Sequence, residues 1–252
     1  MNNYPDSFTW ELHFPPNEDG YGQEWLMELS KMRGRVLHAG GRRPQFRQTD
    51  GSFSDHDPLD QWAYHLLLRS SGCLIGCIRV VPLSVQICGT ESLLGHQPFE
   101  QLLVHLGTTR DRVGEVGRWI VAPEYSRFRM GLPLIAGLGA LAKWLGLETL
   151  IATVGTRDGQ AKTLMRAGGR QVPGFVPIKC QKYDDDLVVL TFDLLHPAES
   201  FEPFAVEMAA RLSLDEQNEA RELPYGFPMQ MTRPRDWASG NDVCAGSVVL
   251  KA

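Results

Sequence analysis

Cysteine is scarce in this sequence: Cys73, Cys77, Cys88, Cys180 and Cys244, an odd number with no CxxC pair. That excludes a dense disulfide framework and a zinc site of the usual cysteine spacing, and a reducing cytoplasm is the expected setting. Cys73 and Cys77 stand four apart in a strand-like run, so both are expected on one face as small core residues. Long apolar runs are lacking as well. No stretch approaches the ~18 consecutive apolar residues of a membrane helix, and no integral membrane association is expected. The first residues, MNNYPDSFTWELHF, have neither a basic n-region nor an apolar h-region, so no secretion signal is expected. Positive charge is in deficit, 25 Lys and Arg against 30 Asp and Glu for a net −5, which argues against nucleic acid as a partner.

What is present points to an ordinary globular chain. Over 252 residues, 43% are hydrophobic and 22% charged, enough for one sizeable core with or without an appendage. The charge is unevenly spread. Residues 118–182 hold ten Lys and Arg against three acids, so they carry 10 − 3 = +7, and the remainder carries 15 − 27 = −12. A basic middle in an acidic protein reads either as a docking face for something anionic or as scattered solvated charges.

Hydrophobic periodicity divides the chain. Residues 1–21 read as an irregular lead-in, and residues 22–37 place Trp25, Leu26, Leu29, Met32, Val36 and Leu37 at helical spacing. Residues 40–57 are rich in Gly, Arg and Asp and read as a mobile loop. Two strands at 63–69 and 73–83 share a Ser70-Ser71-Gly72 turn, followed by a helical patch at 98–105 and a strand at 116–122. A helix at 131–145 is expected to end at Gly146 in the left-handed conformation. A strand at 148–154, a helix at 158–167 and strands at 171–179 and 187–194 complete a domain over residues 22–195. Residues 196–252 read as a helical and irregular extension, with one acidic amphipathic helix at 202–223. The order predicts an α/β chain (α+β mixed) with a mixed twisted sheet and helices on both faces.

The sharpest local feature is GEVGRWIVAP at 114–123. Glu115 and Arg118 open an apolar strand, with Arg127 and Arg129 just beyond its end. Residues three apart in a strand point to opposite faces, so pairing Glu115 with Arg118 requires a bulge, and bulges re-aim side chains beside active sites. A structural ion pair explains the same spacing. Beyond the strand, Glu124-Tyr-Ser-Arg-Phe-Arg-Met-Gly131 leads into a Gly-rich helix. A helix N-terminus flanked by Arg127, Arg129, Met130 and Gly131 suits anion capture, as for the phosphates of an acyl donor; a simple strand-to-helix connection is the alternative.

Together these segments resemble the Gcn5-related N-acetyltransferase fold: strand, V-x-P-x-x-x-R, Gly-led helix, strand, then a helix ending Leu164-Met-Arg-Ala-Gly-Gly169. More narrowly they resemble the branch of acyl-homoserine-lactone synthases and N-acyl amino acid synthases. Arg33 with Leu37 is similar to that branch's first-helix motif. Asp57-Pro-Leu-Asp60 before Ala63-Tyr-His-Leu-Leu is similar to its acidic loop and strand. Gly76-Cys-Ile-Arg79, Pro98-Phe99 and Glu115-Val-Gly-Arg118 are similar to its G-x-x-R, P-F and E-x-x-R elements. The acetyl-CoA loop of the wider fold, [QR]-x-x-G-x-[GA], is not matched, since Phe128 and Pro133 stand at its ends. The lactone synthases' usual aromatic is not evident among residues 40–44. The run D-x-x-D-x-x-A-x-H-L-L is nearer the N-acyl amino acid synthases.

The resemblance implies an N-acyltransferase of the cytoplasm with acyl carrier protein or acyl-CoA as thioester co-substrate, a small amine or amino acid as acceptor, and no bound metal or cofactor. An amine is mostly protonated near neutral pH and must lose a proton before attacking the thioester. Glu115, directly or through a water, is the expected base. Backbone N–H groups around Trp119, Ile120 and Val121 are expected to hold the oxyanion. Arg118 and Arg79 are expected to orient Glu115, the acidic loop or the acceptor carboxylate, with Asp57 and Asp60 holding the loop through Arg33. Arg157 and Arg166 join the donor-side residues. For the acyl tail, Leu132, Ile135, Leu138, Trp144 and Phe175 are available. The leading expectation is an N-acyl amino acid synthase; the alternatives are a lactone synthase using S-adenosylmethionine, in autoinducer synthesis, and a non-catalytic acyl- or nucleotide-binding module.

Overall fold

The apolar runs pair edge to edge into one mixed sheet. The structure, a computed structural model, describes residues 8–16, 23–39, 41, 43–126, 131–194, 229–230 and 247–251. Its strands are β1 (Phe8–His13), β2 (Tyr64–Ser70), β3 (Cys73–Pro82), β4 (Val113–Val121), β5 (Thr149–Gly155), β6 (Arg170–Gln171), β7 (Ile178–Cys180), β8 (Asp185–Asp193), β9 (Met229–Gln230) and β10 (Ser247–Lys251). They lie in the order β6-β8-β5-β4-β3-β2-β1-β10-β9, with β7 also on β8. The helices are α1 (Gln23–Ala39), α2 (Gly89–Leu94), α3 (His96–His105), the single turn α4 (Pro123–Ser126), α5 (Gly131–Trp144) and α6 (Gln160–Arg166). Among the described residues no helix is long and apolar enough to cross a membrane.

β2 and β3 are buried on both faces, which is why they read as near-continuous apolar runs and not as alternating ones. On one face α1 packs Leu29 and Met32 onto Leu67, Cys77 and Ile120. On that same face α3 sets Phe99, Leu102 and Leu103 against Val113, Ile151 and Val189. The alternate residues point the other way. Leu66, Leu68, Ile78 and Val80 meet Leu134, Leu138 and Leu141 of α5, and Ala152, Val154, Val188 and Leu190 meet Ala161 and Leu164 of α6. α5 ends as its sequence predicts: Gly146 takes φ +76°, and Leu147 N–H reaches back to Ala142 O at 2.9 Å.

Several expectations need correction. The segment read as an irregular lead-in carries β1, which pairs antiparallel with β2 and buries Trp10 and Leu12. The described part of the extension is strand: β10 pairs antiparallel with β1. The helix expected at 202–223 lies outside the described residues. The strand expected at 171–179 is two short ones, because Val172-Pro-Gly-Phe175 breaks the run. Residues 43–57, read as a mobile loop, are pinned to α1: Phe46 is buried, and Asp55 N–H donates to Ser30 O at 3.0 Å. Cys73 is exposed and Cys77 buried, so the two cysteines do not share an environment.

Candidate active site

β4 and β5 are the one parallel pair among the described strands, and their pairing stops early. Val113 to Val116 pair with Thr149 to Ala152, and no further partners join the two strands. β4 nevertheless runs on to Val121 and β5 to Gly155. The two ends therefore diverge into a wedge. Ala122 N–H donates to Ile75 O at 2.7 Å on the β3 side, so by strand alternation the N–H of Val121 faces the wedge.

A bulge lies in the same stretch. Cys77 pairs with Ile120 and Arg79 with Gly117, leaving Arg118 and Trp119 opposite the single residue Ile78. Arg118 takes the bulge strain at φ +53°, a conformation that costs a non-glycine residue about 1–3 kcal/mol. The bulge brings Glu115, Gly117, Arg118 and Ile120 to the α1 face and leaves Val116, Trp119 and Val121 on the α5 face. Glu115 and Arg118 thus share a face, yet they do not pair with one another.

Arg118 joins a buried cluster of three arginines and three aspartates. Its guanidinium lies 3.0 Å from Asp55 and 2.5 Å from Asp57, and its Nη1 donates to Tyr183 Oη at 2.6 Å. Arg33, fully buried on α1, donates to Asp60 Oδ1 at 2.9 Å and to Asp55 O at 2.8 Å. Arg79 donates to Asp57 at 2.9 Å and also to Asp60. The charges cancel, as a site this dry demands. Burial pushes the Asp60 carboxyl up, but Arg33 and Arg79 outweigh it and hold it well below the usual carboxylate range. Burial likewise opposes ionisation of Asp57, and Arg79 and Arg118 again prevail. His65, beneath Asp60, is pushed down to about 3 by burial, with Arg33 and Arg79 outweighing part of the pull of Asp60. Burial lifts the Cys77 thiol to about 12, which removes it as a nucleophile at neutral pH.

Glu115, 6% exposed, is held elsewhere. Its Oε2 accepts Gly89 N–H at 2.9 Å, and its Oε1 accepts both the N–H and the hydroxyl of Thr90 at 2.5 Å each. Of the alternatives expected for Arg118 and Arg79, the structure shows the acidic loop, which both hold; Glu115 is oriented by the first turn of α2.

The opposite face of the wedge is apolar. An apolar cleft, partly open to solvent, lies between α5, α6 and the sheet. Val116, Trp119, Ile135, Leu138, Leu164 and Phe192 contribute its apolar wall. Of the residues available for an acyl tail, Ile135 and Leu138 line it; Trp144 and Phe175 do not, and the side chain of Leu132 is outside the described residues. Trp119 is fixed by its indole N–H, which donates to Gly131 O at 3.0 Å. A Cβ on Gly131 would stand 2.7 Å from that ring, so only glycine admits the helix start here.

Arg127, Arg129 and Met130 lie outside the described residues. Arg157 pairs with Asp184 at 2.5 Å, and Arg166 is exposed in the last turn of α6. Asp55, Tyr183, Thr90 and Thr153 were not singled out from sequence. Asp55 alone had a signal, as the first acid of the run Asp55-His-Asp57-Pro-Leu-Asp60.

Residues 36–135 match the family model of the acetyltransferase (GNAT) domain. The chain carries a GNAT-type acyltransferase fold. The structure of BjaI, a CoA-dependent acyl-homoserine lactone synthase with SAM and isopentyl-CoA, is 17% identical over 78% of this chain and 87% of that one, with a TM-score of 0.56. The acyl-homoserine-lactone synthase LasI is 17% identical over 74% and 90%, TM-score 0.52. MesI, another CoA-dependent lactone synthase, is 20% identical over 80% and 93%, TM-score 0.52. No curated protein matches the sequence. The wedge between β4 and β5 has apolar space on one face and the ion-pair cluster on the other.

Proposed function

We propose that the chain is an N-acyltransferase that moves a medium or long acyl chain from an acyl-carrier-protein or CoA thioester to the amine of an amino acid. The observation that carries this reading is the wedge. A thioester carbonyl placed in it has an apolar cavity on one side for its tail and a polar, buried face on the other for an amine. Val121 N–H faces the point where the oxyanion develops, and one such donor supplies about 3–4 kcal/mol of transition-state stabilisation. Glu115 is the proton acceptor on the amine side, a role worth ~10²–10⁴-fold in rate. The cluster around Arg79, Arg118, Asp57 and Asp60 fixes the acceptor face in place. The start of α5 at Gly131, with Arg127, Arg129 and Met130 before it, takes the donor's phosphate group. The +7 charge of residues 118–182 favours an acidic carrier protein, although burial of Arg118 and the Arg157–Asp184 pair reduce what is free at the surface.

A second reading has S-adenosylmethionine as acceptor with lactone closure afterwards. The likeness of the fold to BjaI, LasI and MesI favours it, and both acceptors present the same α-amino acid headgroup. The test is to incubate the protein with short, medium and long acyl-carrier-protein and acyl-CoA thioesters, amino acids and S-adenosylmethionine, and to search for N-acyl products by mass spectrometry. An N-acyl amino acid is expected; an acyl-homoserine lactone would promote the second reading. Saturable donor binding with no product and no thiol release would overturn both in favour of a binding module.

A further inference from the structure

The hydroxyls beside Glu115 have a direction. Thr90 Oγ1 lies 2.5 Å from Glu115 Oε1 and 2.6 Å from Thr153 Oγ1. A hydroxyl has one proton to give. Both carboxylate oxygens of Glu115 already accept N–H donors from α2, so Thr90 gives its proton to Glu115 and must accept from Thr153. The order is Thr153 O–H to Thr90 O–H to Glu115. Chains of this kind polarise each member, and the remaining lone pairs of Thr153 Oγ1 are left for an incoming donor.

The end of this chain sits at the wedge. Thr153 follows Ala152, the last β5 residue paired with β4, and it is on the polar face opposite Ala152 and Val154. Across from it, Gly117 leaves its position without a side chain. Arg79 Nε lies 3.4 Å from where a Cβ on Gly117 would stand. That nitrogen belongs to a side chain 4% exposed and has no hydrogen-bond partner among the described residues. A ligand group over Gly117 would lie beside the buried, unpartnered N–H of Arg79 and the free lone pairs of Thr153, the donor and acceptor that the carboxylate and the ammonium of an α-amino acid require.

We propose that Thr153 and Thr90 relay the acceptor's proton to Glu115, an inference that rests on the acyltransfer reading above. The N–H bond of the ammonium breaks as a proton passes to Thr153 Oγ1. The proton of Thr153 passes to Thr90, and that of Thr90 to Glu115 Oε1. Both hydroxyls end as they began, the amine is neutral and ready to attack, and the carboxylate has become the acid. Glu115 serves as base from within the first turn of α2, with no need to touch the substrate.

The experiment compares Thr153→Val, Thr153→Ala and Thr153→Ser with the wild type, using the donor and acceptor that the product screen identifies, and follows kcat/KM for the acceptor against pH. The expected loss for the valine and alanine variants near neutral pH is about 10²-fold, with serine close to wild type and the donor KM unchanged. The loss should shrink as pH rises toward the pKa of the amine, because an already neutral amine needs no relay. Wild-type turnover in the valine and alanine variants, a deficit of equal size at every pH, or a serine variant as poor as valine overturns the relay. An active wild type beside an equally active Thr153→Val sinks the relay alone, whereas a wild type that forms no N-acyl product sinks the acyltransfer reading and the relay with it.

Discussion

Asp60→Asn tests whether the buried ion-pair cluster is as tightly balanced as its geometry implies. Asp60 accepts from Arg33 Nη1 at 2.9 Å, and from Arg33 Nη2 and Arg79 Nη1 as well. Asparagine has nearly the same volume, so no cavity opens, and the change isolates the charge. It leaves three guanidiniums facing two carboxylates in a site where Arg33 is fully buried and Arg79 only 4% exposed. Removing one partner of such a pair costs about 3–5 kcal/mol, most of it the stranding of the other charge. For a chain of this size ~1 kcal/mol moves the melting midpoint by ~2–4 °C, so a fall of ~6–20 °C is expected. The pH dependence supplies a second reading. A depressed carboxyl stabilises the fold above its unfolded pKa of ~3.9 and loses that contribution as pH falls toward its folded value. The gap between wild type and variant should therefore be full near neutral pH and narrow below about pH 4. Urea unfolding at several pH values measures it. A loss under about 1 kcal/mol, or a gap that does not narrow in acid, would refute the claim that Asp60 is an ionised keystone of this cluster.

Three further outcomes follow from the same structure. His65 is neutral when folded, its pKa pushed to about 3, so the unfolded chain takes up a proton first; from about pH 6.5 downward stability should fall by ~1.4 kcal/mol per pH unit, and His65→Gln should flatten that slope in a pH series of melts. Gly34→Ala places a Cβ 2.5 Å from Ser54 N; the resulting shift of the acidic loop should cost about 1–3 kcal/mol by urea unfolding and lower turnover more than donor binding. Gly131→Ala drives a Cβ to 2.7 Å from the Trp119 ring, which must turn into the apolar cavity; long acyl donors should lose activity more than short ones in a chain-length series.

The sheet was legible in the sequence wherever the signal was local. β2, β3, β5 and α5 announce themselves by apolar runs with Gly or Ser-Gly stops, and Gly146 marks its helix end. β1 was missed because Phe8, Trp10 and Leu12 sit among proline and asparagine, and its partners β2 and β10 lie far away in sequence. α2 was missed because its start is defined by Glu115, 25 residues distant, and Cys88 is an unusual cap. The site was half visible. The acids and arginines stand out as residue types, but their pairing depends on a bulge that turns Arg118 away from Glu115. Trp119, Leu164 and Phe192 come together from three elements, and no sequence period reports that. Thr90 and Thr153 meet across 63 residues, and neither lies in a motif.

If the wedge takes an acyl tail on its α5 face, Gly139 gives the most direct access to that tail. This glycine lines the cavity, and a Cβ added there meets nothing within 4 Å. The Cβ position is clear, so Gly139→Leu projects its side chain into this cleft, and replacing a mid-helix glycine favours the helix by about 1 kcal/mol. The measurement is thiol release against acyl-chain length for wild type and variant, with the acceptor held constant. The variant is expected to keep turnover with short chains, to lose it with long ones, and to shift its preferred length downward. An unchanged chain-length profile in a folded, active Gly139→Leu variant would contradict it, and would place the acyl tail elsewhere.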